Sequence, residues 1–234
     1  MIPLKNLDAR RSSMPIITIL LIAANLVVFI HQEFLPPDAA ENFIKVYGLV
    51  PAKIALALSG QHYSLPAALT PLFTCMFLHG GFLHILGNMW FLWIFGGNVE
   101  DRLGPFGYLV FYLVCGIASG VAQVAFSWGS RVPSIGASGA ISGVLGAYII
   151  FFPASRILTL IPLFIIWFTV RIPAIVFIGL WFVVQFLSGV ESLGAARGVS
   201  MGAIAWWAHI GGFVTGLVLA GIVGRRPADS YSSY

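Results

Sequence analysis

The sequence predicts an all-α membrane protein with six transmembrane helices, and three observations lead to this fold class. Of the 234 residues, 59% are hydrophobic and only 9% are charged, whereas about a quarter of the residues of a soluble domain are charged. The hydrophobic residues form runs close to the roughly 20 residues that a helix needs to cross a bilayer. Basic residues stand beside these runs and form no single patch. The chain therefore belongs in a lipid bilayer, and we expect no nucleic-acid partner.

Six segments qualify as spans. They cover about residues 14–31, 82–97, 106–126, 138–152, 172–187 and 204–223. Two of them are short and rich in glycine, which predicts helices that pack among others and not against lipid. Because no remaining stretch is long enough to bury a core of its own, we expect a single domain over 1–234. It has a short N-terminal segment, 1–13, and a C-terminal tail, 224–234.

Basic residues also predict the orientation of the chain. Lys5, Arg10 and Arg11 precede the first span, and Arg225 and Arg226 follow the last. Since cytoplasmic loops carry the excess of Lys and Arg, six crossings place both termini in the cytoplasm of a cell (inner) membrane.

Two segments between the spans need their own interpretation. The stretch 157–170 is apolar enough for a seventh span, although Pro162 and the flanking Arg156 and Arg171 favour a segment at the cytoplasmic interface. The loop 32–79 is the longest, and loops of this length without regular structure are uncommon unless functional. We expect short helices there, lying partly in the outer leaflet.

Polar side chains are costly in hydrocarbon, so the few polar residues of the spans are functional candidates. The first is Ser138, which opens the fourth span in the run Gly-Ala-Ser-Gly-Ala starting at Gly136. A serine at a helix N-terminus lies beside free backbone N–H groups, which can stabilise an oxyanion. Because serine is also a preferred N-cap, a purely structural role is the alternative.

The second candidate is His209, early in the last span, for which a packing role is the alternative. Under the six-span topology Ser138 and His209 both lie near the outer end of a helix, so their depths match. A nucleophile and its base must come within hydrogen-bond reach. Small residues four apart in both spans predict a close approach of the two helices. These residues are Gly139, Gly143, Gly212 and Gly216.

The third candidate is a pair at the outer end of the second span. His84 and Asn88 are four residues apart, so they share a helix face and can aim an imidazole and a carboxamide at one point. Oxyanion donors need this arrangement, while hydrogen bonding between helices is the alternative. A zinc site with His79 is a weaker hypothesis, because this cluster holds no carboxylate or thiolate.

No Asp or Glu falls within the predicted spans. We therefore expect a Ser–His dyad and not a triad with a buried carboxylate. We find no cofactor motif, and the two cysteines, Cys75 and Cys115, predict neither a disulfide nor a metal site.

These three motifs together resemble the rhomboid family of intramembrane serine proteases, over nearly the whole chain and in the same order. The resemblance implies that Ser138 is the nucleophile and His209 the base. It also implies that His84 and Asn88 help to form the oxyanion hole and that Gly136 shapes the turn before the serine. The run 97–104 looks like the family's cytoplasmic stretch after the second helix, where Glu100 and Arg102 brace the loop.

One residue departs from the family's pattern. Some members carry a tyrosine one turn after the serine, stacked on the histidine, whereas this chain has Ser142 there. Trp206 and Trp207 precede His209, but we expect them to point elsewhere on the helix. What orients His209 is therefore open.

The resemblance implies cleavage of single-span or polytopic membrane proteins near the outer face, with small residues favoured at the scissile bond. A non-proteolytic protein that binds transmembrane helices or transports a small solute is the alternative. Glycines in the last outer loop suggest a mobile cap over the site. They are Gly189, Gly194, Gly198 and Gly202.

Overall fold

The computed structural model describes residues 1–9, 11–61, 64–194 and 205–224, most of which lie in helices. The helices are α1 (Ile16–Glu33), α2 (Pro37–Tyr47), α3 (Pro51–Leu58), α4 (Leu65–Leu69), α5 (Pro71–Thr74), α6 (Phe82–Phe91), α7 (Gly97–Leu103), α8 (Pro105–Phe126), α9 (Ser138–Phe151), α10 (Ala174–Gly194) and α11 (Trp206–Val223). A π-helical turn, Leu92–Gly96, joins α6 and α7 into one helix. The strands are β1 (Ile2–Asn6), β2 (Arg156–Leu163) and β3 (Ile166–Pro173).

The predicted class, a polytopic helical membrane protein, is confirmed. Five helices in the described part of the chain are long and apolar enough to cross a membrane: Ile16–Glu33, Phe82–Leu103, Pro105–Phe126, Ala174–Leu193 and Trp206–Val223. The sixth predicted span, α9, is an apolar helix of only 14 residues. It is buried from Gly139 to Tyr148. Because protein surrounds α9 on every side, this helix lies at the centre of the bundle, as its glycine content predicts.

Glycines bring α9 and α11 together, as the sequence predicts. A Cβ atom built on Gly212 would overlap the Gly139 carbonyl oxygen, and one built on Gly216 would overlap that of Gly143. Only residues without a side chain permit this approach of two backbones. The serine at the start of α9 and the histidine at the start of α11 are thereby held side by side.

Gly216→Ala tests this packing. Because the added methyl group meets backbone and not a flexible side chain, we expect the free energy of unfolding to fall by about 1–3 kcal/mol. Gly221→Ala on the same helix is the matched control, since nothing lies within 4 Å of its Cβ position. Unfolding midpoints in detergent micelles measure both variants. Equal midpoints would show that the close approach of α9 and α11 is unimportant for stability.

The expectation that the spans hold no Asp or Glu is wrong for the second long helix. The second long helix runs to Leu103 and not to about Gly97, and it carries Glu100, which is buried. The Glu100 carboxylate accepts hydrogen bonds of 2.8 Å from the backbone N–H groups of Ile17 and Thr18 and from the Thr18 hydroxyl. Since α1 has no side-chain N-cap of its own, Glu100 satisfies the free N–H groups at its start.

The stretch 157–170 forms a β-hairpin and not a seventh helical span. Strands β2 and β3 pair antiparallel from Arg156↔Pro173 to Leu163↔Ile166, and β1 pairs antiparallel with β2. The β-branched residues of both strands, together with Trp167 and Phe168 of β3, favour strands here. The N-terminal strand also contacts the second long helix, where the Trp90 indole N–H donates to the Pro3 carbonyl at 2.6 Å.

A salt bridge fastens the chain just after β1 to the start of the hairpin. The Arg156 guanidinium donates two hydrogen bonds of 2.8 Å to the Asp8 carboxylate, and the Arg156 backbone N–H donates a third. These hydrogen bonds lower the pKa of Asp8 to about 2. The carboxylate therefore stays ionised, and the contact persists until the pH falls towards that value.

The long loop after α1 contains the predicted short helices, α2 to α5. Its backbone pairs with the segment that precedes α9, because Leu49 and Ser134 exchange hydrogen bonds of 3.0 and 2.8 Å. The Gln32 side chain adds a second anchor by donating to the His79 carbonyl at 3.2 Å and accepting from the His79 N–H at 3.1 Å. These hydrogen bonds therefore hold both the segment before α9, which leads to Ser138, and the segment before α6, which leads to His84.

Helix α10 is longer than predicted and continues to Gly194. Gly189 therefore lies in a helix, where it packs near Ile210, and not in a loop. Gly198 and Gly202, on which the cap hypothesis also depends, lie outside the described residues.

Candidate active site

The candidate nucleophile, Ser138, is the first residue of α9. The preceding Gly136 has a φ of 124°, a conformation that side-chain-bearing residues rarely adopt. Its N–H donates to the Cys75 carbonyl at 2.9 Å, which fixes the turn against the segment before α6. Ser138 itself is partly exposed, so its hydroxyl lies at the edge of the protein core.

His209 meets this serine directly. The histidine lies in the first turn of α11 and is buried, and its Nε2 atom is 2.7 Å from the Ser138 hydroxyl oxygen. This distance is within hydrogen-bond reach, as a nucleophile and its base require. For Nε2 to accept the serine proton, the other ring nitrogen, Nδ1, must carry the hydrogen of the neutral ring.

A third polar residue, Gln185, completes the contacts of the imidazole. Its side-chain oxygen lies 2.6 Å from His209 Nδ1, and both residues are buried. Among the described residues, no carboxylate shares a hydrogen bond with His209, so an amide lies where serine proteases often have an aspartate. Sequence reasoning missed Gln185. The signal was present, because Gln185 is a polar residue within the predicted span 172–187.

Two tryptophans flank the histidine ring. Trp181 lies with its ring centroid 6.0 Å from that of His209, and Trp206 lies edge-on at 6.2 Å. The expectation that Trp206 points elsewhere is therefore wrong, because the start of α11 brings its ring beside the imidazole. Trp207 does point elsewhere and stacks on Phe126. Ser142, at the position of the family's tyrosine, donates its hydroxyl to the Ser138 carbonyl at 2.6 Å.

His84 faces the serine across Gly136. A Cβ atom built on Gly136 would lie 2.8 Å from His84 Nε2 and 3.7 Å from the Ser138 hydroxyl oxygen. The other ring nitrogen, His84 Nδ1, accepts a hydrogen bond from the Gly80 N–H at 3.3 Å. The neutral ring therefore carries its hydrogen on Nε2, the atom beside Gly136. The imidazole can thus donate a hydrogen bond at the place where an oxyanion would form.

Asn88 is bonded to its own helix. Its amide nitrogen donates to the His84 carbonyl at 3.0 Å, and the residue is buried. The amide nitrogen has a second hydrogen, which this contact does not use. Of the two donors expected on this helix, the structure brings His84 next to Gly136 and gives Asn88 a local contact.

The zinc hypothesis finds no support among the described residues. His79 packs edge-on against His84 with ring centroids 5.1 Å apart. No group of three or more His, Cys, Asp or Glu side chains in the described ranges is arranged to hold a metal ion.

The fold and the site together define a class: a multi-pass membrane protein in which a serine and a histidine from two closely packed helices meet. Comparison with known proteins identifies the family. Residues 66–226, more than half of the chain, match the family model described as "Rhomboid domain". The chain belongs to the rhomboid family, which includes serine proteases that act within membranes.

Curated relatives agree with this assignment. The chain is 29% identical to the rhomboid protease GluP of Bacillus subtilis over 217 residues, 93% of this chain and 36% of that protein. It is 32% identical to RHOMBOID-like protein 5 of Arabidopsis thaliana over 68% of this chain and 46% of the relative. It is also 32% identical to the mitochondrial Rhomboid protein 1 of Saccharomyces cerevisiae, over 61% and 38% of the two chains. The matched region thus spans less than half the length of each relative.

Proposed function

We propose that this protein is an intramembrane serine endopeptidase that cleaves transmembrane segments of other membrane proteins. The single observation that carries the proposal is the 2.7 Å distance between His209 Nε2 and the Ser138 hydroxyl oxygen. The two helices that bear these residues pack closely at their glycines. Family membership supports the same chemistry. The proposal places the site near the outer face of a cell (inner) membrane, with both termini in the cytoplasm.

The proposed reaction is acyl transfer. His209 Nε2 takes the proton of the Ser138 hydroxyl while the serine oxygen attacks a peptide carbonyl carbon. The tetrahedral intermediate collapses, the C–N bond breaks, and the imidazolium returns the proton to the leaving amine. A water molecule, deprotonated by the same histidine, then attacks the acyl carbon. The bond between this carbon and the serine oxygen breaks, and the imidazolium returns the proton to Ser138.

The oxyanion of this intermediate needs hydrogen-bond donors on the side of Gly136. The first N–H groups of α9 have no partner within that helix, so the Ser138 N–H can donate. The His84 Nε2–H group faces the same place. We propose that Asn88, one turn further along α6, turns the second hydrogen of its amide to the oxyanion as a further donor. These groups are fixed before the substrate arrives, which is what makes such donors effective.

Water and substrate need a route to this site. Ser138 is partly exposed and His84 is exposed, whereas His209 and Gln185 are buried behind them. The serine side of the site is therefore open to the surroundings and the base side is closed. A transmembrane segment that unwinds at its outer end, with small residues at the scissile bond, fits such an opening.

Asn88→Ala tests the oxyanion donors. We expect kcat to fall by about 10²- to 10³-fold with residual activity, as when a serine protease loses one donor of its oxyanion hole. Asn25→Ala is a matched control, because Asn25 is also buried and its amide donates to the carbonyl four residues earlier, Leu21, at 2.8 Å. Equal effects on kcat would assign Asn88 a structural role only.

Cleavage of a single-span reporter by the purified protein in liposomes tests the proposed function. We expect two fragments from the wild type and none from the folded His209→Ala variant. Fragments of the same size from both proteins would refute the dyad. Binding of the reporter without cleavage by the wild type would favour the non-proteolytic alternative.

A further inference from the structure

Gln185 is the polar residue that the dyad leaves unexplained. We propose that Gln185 is a positioning residue that holds His209 in the tautomer and ring orientation needed to act as a base, so that three helices form the catalytic unit. This inference rests on the proposed function. The contact that carries it is the 2.6 Å distance between His209 Nδ1 and the Gln185 side-chain oxygen.

The directions of the two hydrogen bonds to the imidazole depend on each other. His209 Nε2 can accept from the Ser138 hydroxyl only when the ring hydrogen is on Nδ1. In the structure the Gln185 oxygen, and not its NH2 group, faces Nδ1, and because this oxygen can only accept, the contact stabilises the Nδ1–H tautomer. A ring turned by half a rotation would lose both contacts at once. The two bonds therefore fix the ring in one orientation.

The surroundings of His209 leave this role to Gln185. Ser142, which replaces the stacking tyrosine of some relatives, is engaged with the Ser138 carbonyl. The flanking rings of Trp181 and Trp206 have centroids about 6 Å away and limit the movement of the imidazole without selecting a tautomer. Among the described residues, Gln185 is thus the side chain that contacts Nδ1, the ring nitrogen on the side away from Ser138.

An amide suits this position for an electrostatic reason. When His209 takes the serine proton, the ring becomes an imidazolium in a buried site, and an oxygen acceptor at Nδ1 stabilises the new charge. A carboxylate would do so more strongly, but an ionised residue is costly inside a membrane span. Glutamine supplies an acceptor without a permanent charge.

Gln185→Met is the direct test, because methionine keeps the length and approximate volume and removes the acceptor. We expect kcat to fall by about 10- to 100-fold with an unchanged KM, as for loss of a hydrogen bond to a charged group.

Gln185→Glu restores an acceptor. We expect it to recover much of the loss and to move the acidic limb of the kcat/KM profile to higher pH, because the carboxylate stabilises the protonated ring. Val184→Met, at an exposed neighbouring position of α10, is the matched control.

A second readout does not depend on cleavage. Nitrogen NMR of histidine-labelled protein distinguishes the two ring tautomers, and His209→Ala identifies the signal. We expect the Nδ1–H form in the wild type and a mixture of forms in Gln185→Met. A folded Gln185→Met protein with wild-type kcat, pH profile and tautomer would overturn the role of Gln185. A wild type with the Nδ1–H signal but no hydrolysis would instead refute the proposed function and leave the positioning contact intact.

Discussion

Ser138→Ala should abolish cleavage of a membrane-protein reporter, with an expected loss of at least about 10³-fold in kcat. The substitution removes the proposed nucleophilic oxygen, and neither the oxyanion donors nor His209 can replace a nucleophile. The missing hydroxyl leaves only a small unfilled space at the partly exposed start of α9. The unfolding midpoint should therefore change little while activity disappears.

Ser142→Ala is the control for this result. Ser142 lies one turn later on the same helix and donates its hydroxyl to the Ser138 carbonyl. Its removal should leave cleavage within a few-fold of the wild type, because the hydroxyl contacts neither the base nor the expected oxyanion position. A Ser138→Ala protein that still cuts would show that another residue is the nucleophile. Equal inactivity of a folded Ser142→Ala protein would show that loss of either hydroxyl at the start of α9 stops cleavage, and the result would then not single out Ser138.

Gly136→Ala should also cause a large loss, about 10²- to 10³-fold in kcat. The new methyl group would lie 2.8 Å from His84 Nε2, so the imidazole must move away from the oxyanion position. Loss of one such donor has effects of this size in other serine hydrolases. The φ of 124° adds backbone strain that alanine tolerates poorly.

Gly129→Ala separates the effect of backbone strain from the effect of displacing His84. Gly129 lies in the same loop with a φ of 77°, but nothing lies within 4 Å of its Cβ position. The Gly129→Ala protein should lose stability because of backbone strain and keep the cleavage activity of the wild type. Steady-state cleavage at saturating reporter, together with unfolding midpoints, measures both variants. If Gly136→Ala loses no more activity than Gly129→Ala, the displacement of His84 has no catalytic consequence.

Hydrophobic runs and glycine spacing were sufficient to predict most of the bundle. Each predicted span corresponds to a helix, because a bilayer imposes the length and the apolar composition of its helices. The approach of α9 and α11 was also predictable, since Gly212 and Gly216 follow His209 at fixed spacing. Two local patterns, one around Ser138 and one around His209, therefore located the two residues that the structure brings into contact.

The hairpin and the capping of α1 were not predictable in the same way. An apolar run such as 157–170 does not by itself distinguish a buried helix from a strand pair, and its partner β1 is far away in sequence. Glu100 caps α1 through the N–H groups of Ile17 and Thr18, which are 83 and 82 positions earlier in the chain. Such contacts depend on the assembled bundle and leave no local pattern.

Gln185 is an intermediate case. Its polarity within an apolar span marked it as unusual, but no spacing relates it to Ser138 or His209 in the sequence. Only the packing of α10 against α11 brings the amide to the imidazole. The same packing places Trp206 beside His209, where helical periodicity alone predicted a different direction.

Labelling with a fluorophosphonate serine probe, followed by peptide mapping, tests the central claim most directly. The account predicts one phosphonylated residue, Ser138, in the wild-type protein and no adduct in the folded His209→Ala variant, because an unactivated serine reacts slowly. An adduct on a different residue, or labelling of His209→Ala at the wild-type rate, would contradict the proposal that His209 activates Ser138.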